Sequence, residues 1–109
     1  IFILDSKMKV FIRSLNYSGW IYIDQVASHE LNDGKNLLAA EISKIKRSFN
    51  KGENLLIVDK NENHLARGLA SFNSKEIEKI KGKQSKEIEN ILGYLSKYEI
   101  IHKDDMVKL

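Results

Sequence analysis

The sequence predicts a mixed α/β domain, mainly β, and three observations predict it. Runs of β-branched, aliphatic and aromatic residues recur at Gly19 to Ile23, Leu55 to Val58 and Leu65 to Phe72. Two short apolar stripes at helical spacing follow, each opened by a capping residue and closed by glycine. The chain has 109 residues, of which 42% are hydrophobic. That is one domain's worth of core, and a chain of this size buries roughly two-thirds of its unfolded surface.

The elements follow in order. Residues 1–18 carry scattered apolar positions (Phe2, Ile3, Val10, Phe11, Ile12) and read as a linker or incoming strand. Gly19-Trp20-Ile21-Tyr22-Ile23 is strand-like and ends at Asp24, a good helix N-cap. The short helix after it has Ala27 and Leu31 one turn apart and Gly34 to close it. Leu37 to Ala40 is a helical turn or a buried connection. Ile42 to Phe49 reads as a strand with a basic side, Lys44, Lys46 and Arg47, and Gly52 supplies a turn. Leu55 to Val58 is apolar throughout, as in a strand covered on both faces. Asp59 to Asn63 is a polar turn, and Leu65 to Phe72 returns as the second arm of a hairpin. The small residues Ala66, Gly68 and Ala70 on one face of that arm predict close packing by another element. Asn73 with Glu76 opens a helix, Ile77 and Ile80 form its stripe, and Gly82 ends it. Ser85 caps the next helix, with Ile88, Ile91 and Leu92 on one face and Gly93 at its end. Tyr98 to His102 and Asp105 to Val107 read as final strands.

Composition limits the chemistry. There are no cysteines, which excludes disulfides and thiolate metal sites and suits the cytoplasm. The apolar run Ile1 to Leu4 is too short for a signal peptide or a membrane span, so no membrane partner is expected. The net charge is +3, which permits nucleic-acid binding without demanding it. The six glycines are too dispersed for a dinucleotide or phosphate loop. His29, His64 and His102 are not paired at metal-ligand spacing, and Asp104-Asp105 beside His102 reads as a polar turn. No catalytic, cofactor or metal residue is assigned, and we expect this chain not to be an enzyme. The basic stretch Lys44, Lys46, Arg47 and Lys51 is the best candidate interaction surface, since phosphates bind such clusters. Trp20, Tyr22, Phe49 and Phe72 could stack on unpaired bases where exposed; otherwise they fill the core.

Several runs in order carry a family resemblance. They are Ala66-Arg67-Gly68-Leu69, Ser74-Lys75-Glu76-Ile77, Gly82 to Tyr94 and Ile100 to Val107, with Ile21-Tyr22-Ile23-Asp24 and Lys35-Asn36-Leu37-Leu38 upstream. Phe49 with Lys51-Gly52-Glu53 looks like a conservative form of a Phe-x-Arg-Gly-Asp turn. Over residues 19–109 the chain resembles the PUA domain at the C-terminus of bacterial glutamate 5-kinases. The resemblance implies a β pseudo-barrel with short flanking helices. It also implies a preceding amino-acid-kinase domain, outside this sequence, that holds ATP and magnesium and phosphorylates L-glutamate. Residues 1–18 would lead in from that domain. The chain begins at Ile1 rather than methionine, and we expect it to be a piece of that larger protein.

Two functions are then expected. One is a regulatory or assembly module of the kinase, including a role in a homo-oligomer. The other is RNA binding through Lys35, Lys44, Lys46, Arg47, Lys51 and Arg67. Two positions depart from the family pattern: Val26 stands where glycine is usual, and Ala39-Ala40-Glu41 where Pro-Ala-Gly is usual. Glycine lets a backbone approach closely, whereas Glu41 adds bulk and negative charge. The departures weigh against RNA binding more than against the fold.

Overall fold

The computed structural model describes residues 16–94 and 97–109, so the linker or incoming strand expected over residues 1–18 lies outside the described residues except for residues 16–18, which lead into the first strand without strand pairing. The described residues form seven strands and three short helices. They are β1 (Gly19–Ile23), α1 (Gln25–Asn32), β2 (Leu37–Leu38), β3 (Ile42–Lys46), β4 (Asn54–Val58), β5 (His64–Leu69), α2 (Ser74–Ile80), α3 (Ser85–Leu92), β6 (Glu99–Ile101) and β7 (Met106–Lys108). Five strands form one sheet in the order β3-β1-β4-β5-β7, and β2 pairs with β6 in a second. The β1–β4 pair is parallel and the other pairs are antiparallel.

One core joins both sheets and all three helices. Ile21 and Ile23 of β1, Leu55 and Ile57 of β4, and Ala66 of β5 point into it. They meet Leu31 of α1, Ile77 and Ile80 of α2, Ile88 of α3, and Ile100 and Ile101 of β6. The small face of β5 has the function its sequence suggested. A Cβ on Gly68 would stand 2.6 Å from Ile101 Cγ2, so only glycine lets the two sheets meet there. All five residues of β4 are buried, as a doubly covered strand requires.

Local signals account for the helix ends. The Ala27 N–H donates to Asp24 Oδ1 at 2.7 Å, capping α1. Asn73 and Glu76 form a reciprocal capping box, each backbone N–H donating to the other's side chain at 2.8–2.9 Å. Gly93 closes α3 at φ 82°. For α3 the expected cap shifts by one residue. Gln84 is the cap, its N–H donating to Glu87 at 2.9 Å, and Ser85 is the first helical residue.

Other boundaries shift for physical reasons. Residues 37–40 divide into the two-residue β2, which pairs with β6, and a 3₁₀ turn at Ala39–Glu41. The expected strand 42–49 stops at Lys46, because Arg47 turns left-handed at φ 69°. The hairpin's second arm ends at Leu69 and starts at His64. The final segment is split by a second 3₁₀ turn at Lys103–Asp105, leaving β6 and β7 as three-residue strands. There His102 Nδ1 accepts from the Asp104 N–H at 3.1 Å, which gives the polar turn expected of that cluster.

Candidate nucleic-acid interface

Strand alternation puts Ile21, Ile23, Leu55 and Ile57 into the core, so Trp20, Tyr22, Leu56 and Val58 face the other side of the sheet. Register then lines up a row across the five strands: Lys46 opposite Trp20, Trp20 beside Leu56, Leu56 opposite Arg67, and Arg67 opposite Val107. A second row runs Lys44, Tyr22, Val58. Tyr22, Leu56 and Val58 are buried in a small apolar cluster of their own, against which Tyr17 and Trp20 pack half-buried.

Cations cover the rings. Lys44 Nζ lies 4.4 Å from the Tyr22 ring centre, and Lys46 Nζ lies 5.2 Å from both Tyr22 and Trp20. Arg47 Cζ is 4.7 Å from Trp20, Trp20 is 5.7 Å from Tyr17, and Tyr17 is 5.4 Å from Arg67 Cζ. Four planar groups therefore stand in series, Arg47, Trp20, Tyr17 and Arg67. Among the described residues, Glu62 brings negative charge to the patch. The Tyr22 hydroxyl donates to both carboxylate oxygens of Glu62 at 2.9 Å. The Lys46 ammonium is held above its ordinary range, first by its hydrogen bond with Tyr22 and further by the Glu62 charge. Arg47 and Glu62 are both non-glycine residues with positive φ, 69° and 66°, and both serve this one face.

Four of the six expected basic residues, Lys44, Lys46, Arg47 and Arg67, thus converge. Two do not. Lys35 lines a different cleft with Glu30, Leu38 and Lys103, and Lys51 is exposed in the turn before β4. Of the four aromatics, Phe49 and Phe72 are core residues and Tyr22 is buried, leaving Trp20 half-exposed. Tyr17 escaped the sequence reading although it completes the series. The available signal was its position three residues before Trp20 at the entry to an aromatic strand.

Val26 is exposed on α1. Glu41 is half-buried at the end of the first 3₁₀ turn, where Oε1 accepts from the Leu38 N–H at 2.9 Å. Burial raises its pKa to about 7, opposed by that N–H and reinforced by Glu30 and Asp24. Among the described residues no cluster of three or more acidic, histidine or cysteine side chains is arranged for a metal ion. No helix among them is long and apolar enough to cross a membrane.

Comparison with known proteins places this architecture. A family model described as "PUA domain" matches residues 19–92. The glutamate 5-kinase of Pelagibacter ubique is 51% identical over 106 residues, covering 97% of this chain and 29% of that protein. The chain thus spans under a third of that relative's length. Among solved structures, a PUA domain from Aeropyrum pernix K1 in complex with tartrate superposes with a TM-score of 0.58 at 16% identity, over 78% of this chain and 41% of that one. A chain of an H/ACA ribonucleoprotein bound to a substrate RNA superposes with a TM-score of 0.56 at 16% identity, over 80% of this chain and 23% of that one.

Proposed function

We propose, from the premise that this chain belongs to the PUA domain family, that it is the non-catalytic accessory domain of a glutamate 5-kinase. The observation that carries this is the 51% identity with such an enzyme over nearly the whole of this chain. A preceding kinase domain would bind ATP, magnesium and L-glutamate and form L-glutamyl 5-phosphate, the entry to proline synthesis in the cytoplasm. The PUA domain would stabilise the oligomer or tune the enzyme's response to proline, acting through its surface. The test removes residues 19–109 from the full-length enzyme and measures oligomer size, kinetics and proline inhibition. A changed oligomer or a changed proline response is expected. Identical values in all three would refute the role.

One observation favours a second reading, RNA binding. Arg47, Trp20, Tyr17 and Arg67 gather guanidinium groups and half-buried rings on one face of the sheet, with Lys44 and Lys46 beside them for phosphates. The H/ACA chain that shares the fold belongs to a particle bound to RNA. A titration with labelled structured RNA at low and at physiological salt tests this. Binding that survives physiological salt and is lost in Lys46→Glu/Arg47→Glu supports it. Binding at low salt alone marks general surface charge.

A further inference from the structure

We propose that the groove between β3 and α2 is a docking site for an extended acidic peptide segment, which would add a strand to the free edge of β3. This goes beyond the kinase and RNA readings and depends on neither.

The sheet order makes β3 an edge, for among the described residues it pairs with β1 on one side only. An edge strand presents a row of unpaired backbone donors and acceptors, which is the template that β-augmentation uses. Beside that edge α2 stands off to leave a groove of about 660 Å³. Its floor is the half-buried Ile45, and Arg47, Ser48, Lys75, Glu78 and Lys79 rim it. One end is closed, since the Ser74 N–H donates to the Phe49 carbonyl at 3.0 Å and the Phe49 N–H donates to Ser74 Oγ at 3.2 Å.

Charge selects the occupant. Glu78 is paired with Lys81, so the groove's single acid is already neutralised. Lys75 and Lys79 are exposed and make no ion pair among the described residues, and Arg47 carries a third positive charge. Lys44 and Lys46 on the edge strand repel another lysine-rich edge, which discourages pairing between copies. An acidic segment meets the charges of Arg47, Lys75 and Lys79 on the groove side of the strand. The floor favours a peptide over a nucleic acid, because Ile45 offers an aliphatic surface and the aromatic rings lie on the outer face of the sheet. A five-residue edge is about 16 Å long, enough to pair a short extended stretch.

The probe is a fluorescein-labelled peptide of alternating glutamate and valine, followed by anisotropy at physiological salt. A second peptide is N-methylated along one backbone edge, and Lys75→Glu/Lys79→Glu is compared with the parent chain. Saturable binding is expected, weakened at least about tenfold by the double reversal and abolished by N-methylation. Backbone amide shifts should move at residues 42–47. Both lysines are exposed, and an unchanged circular dichroism spectrum confirms that the variant folds. Absence of saturable binding, or equal binding of the N-methylated peptide, overturns the proposal. So does oligouridylate that displaces the peptide with the same dependence on Lys75 and Lys79, which would give the groove to nucleic acid. Trp20→Ala, outside the groove, reports separately on the RNA reading.

Discussion

At the scale of single residues, Glu41 and Gly68 show how one position can set a measurable property. The Glu41 carboxyl titrates near 7 in the folded chain against an ordinary value of 4.5, mainly because it is partly desolvated. The folded state therefore holds this proton more tightly than the unfolded state. Its contribution to stability is complete below about pH 4.5 and is lost as pH rises through about 7. Glu41→Gln keeps an oxygen for the Leu38 N–H and removes the titration. Melting curves across this window should show the variant gaining on the parent as pH rises, and parallel profiles would contradict the assignment. Glu53 and Asp59 are held below their ordinary values by hydrogen bonds, so their contributions fade only at lower pH. At Gly68 the limit is space. An added methyl would meet Ile101 at 2.6 Å and the Asp105 carbonyl at 3.1 Å, inside a full core. Gly68→Ala should cost about 1–3 kcal/mol in denaturant unfolding, as overpacking does.

At the scale of elements, the helices were the most legible part of the sequence because their signals are local. Asn73 and Glu76 satisfy each other's backbone N–H groups within four residues, so the capping box can be read directly from the residue types. Asn73→Ala should lower stability by about 1 kcal/mol, measured by the same unfolding curves. The core strands β1, β4 and β5 were legible through composition. The β2–β6 ribbon was not, because Leu37 meets Ile101 only after the intervening chain has folded. The early end of β3 was also hidden, since Arg47 takes a left-handed conformation that its type does not announce. The candidate face was half legible for the same reason. Lys44 and Lys46 are near Trp20 and Tyr22 because strand register puts them directly opposite. Lys35 and Lys51 belong to turns whose direction no local pattern fixes. Tyr17 acquires its place through Trp20 and Arg67, one near in sequence and one far.

At the scale of the whole molecule, two surfaces share one boundary residue. Arg47 leans over Trp20 on the outer face and also rims the groove beside β3. The strand order has a further consequence, in time rather than in space. Within the five-stranded sheet, β4 and β5 are the one neighbouring pair that is also consecutive in sequence. Their turn is short, and closing it costs little chain entropy. Every other pairing in the sheet must bring together strands separated by at least one intervening element, and β5 waits for β7 at the far end of the described chain. Such topologies fold in milliseconds to seconds rather than microseconds. The β4–β5 hairpin should therefore be the early nucleus. In stopped-flow refolding, Ile57→Val should slow folding in proportion to its loss of stability, while Val107→Ala should mainly speed unfolding. During synthesis, both strands of the hairpin are made well before their outer neighbour β7.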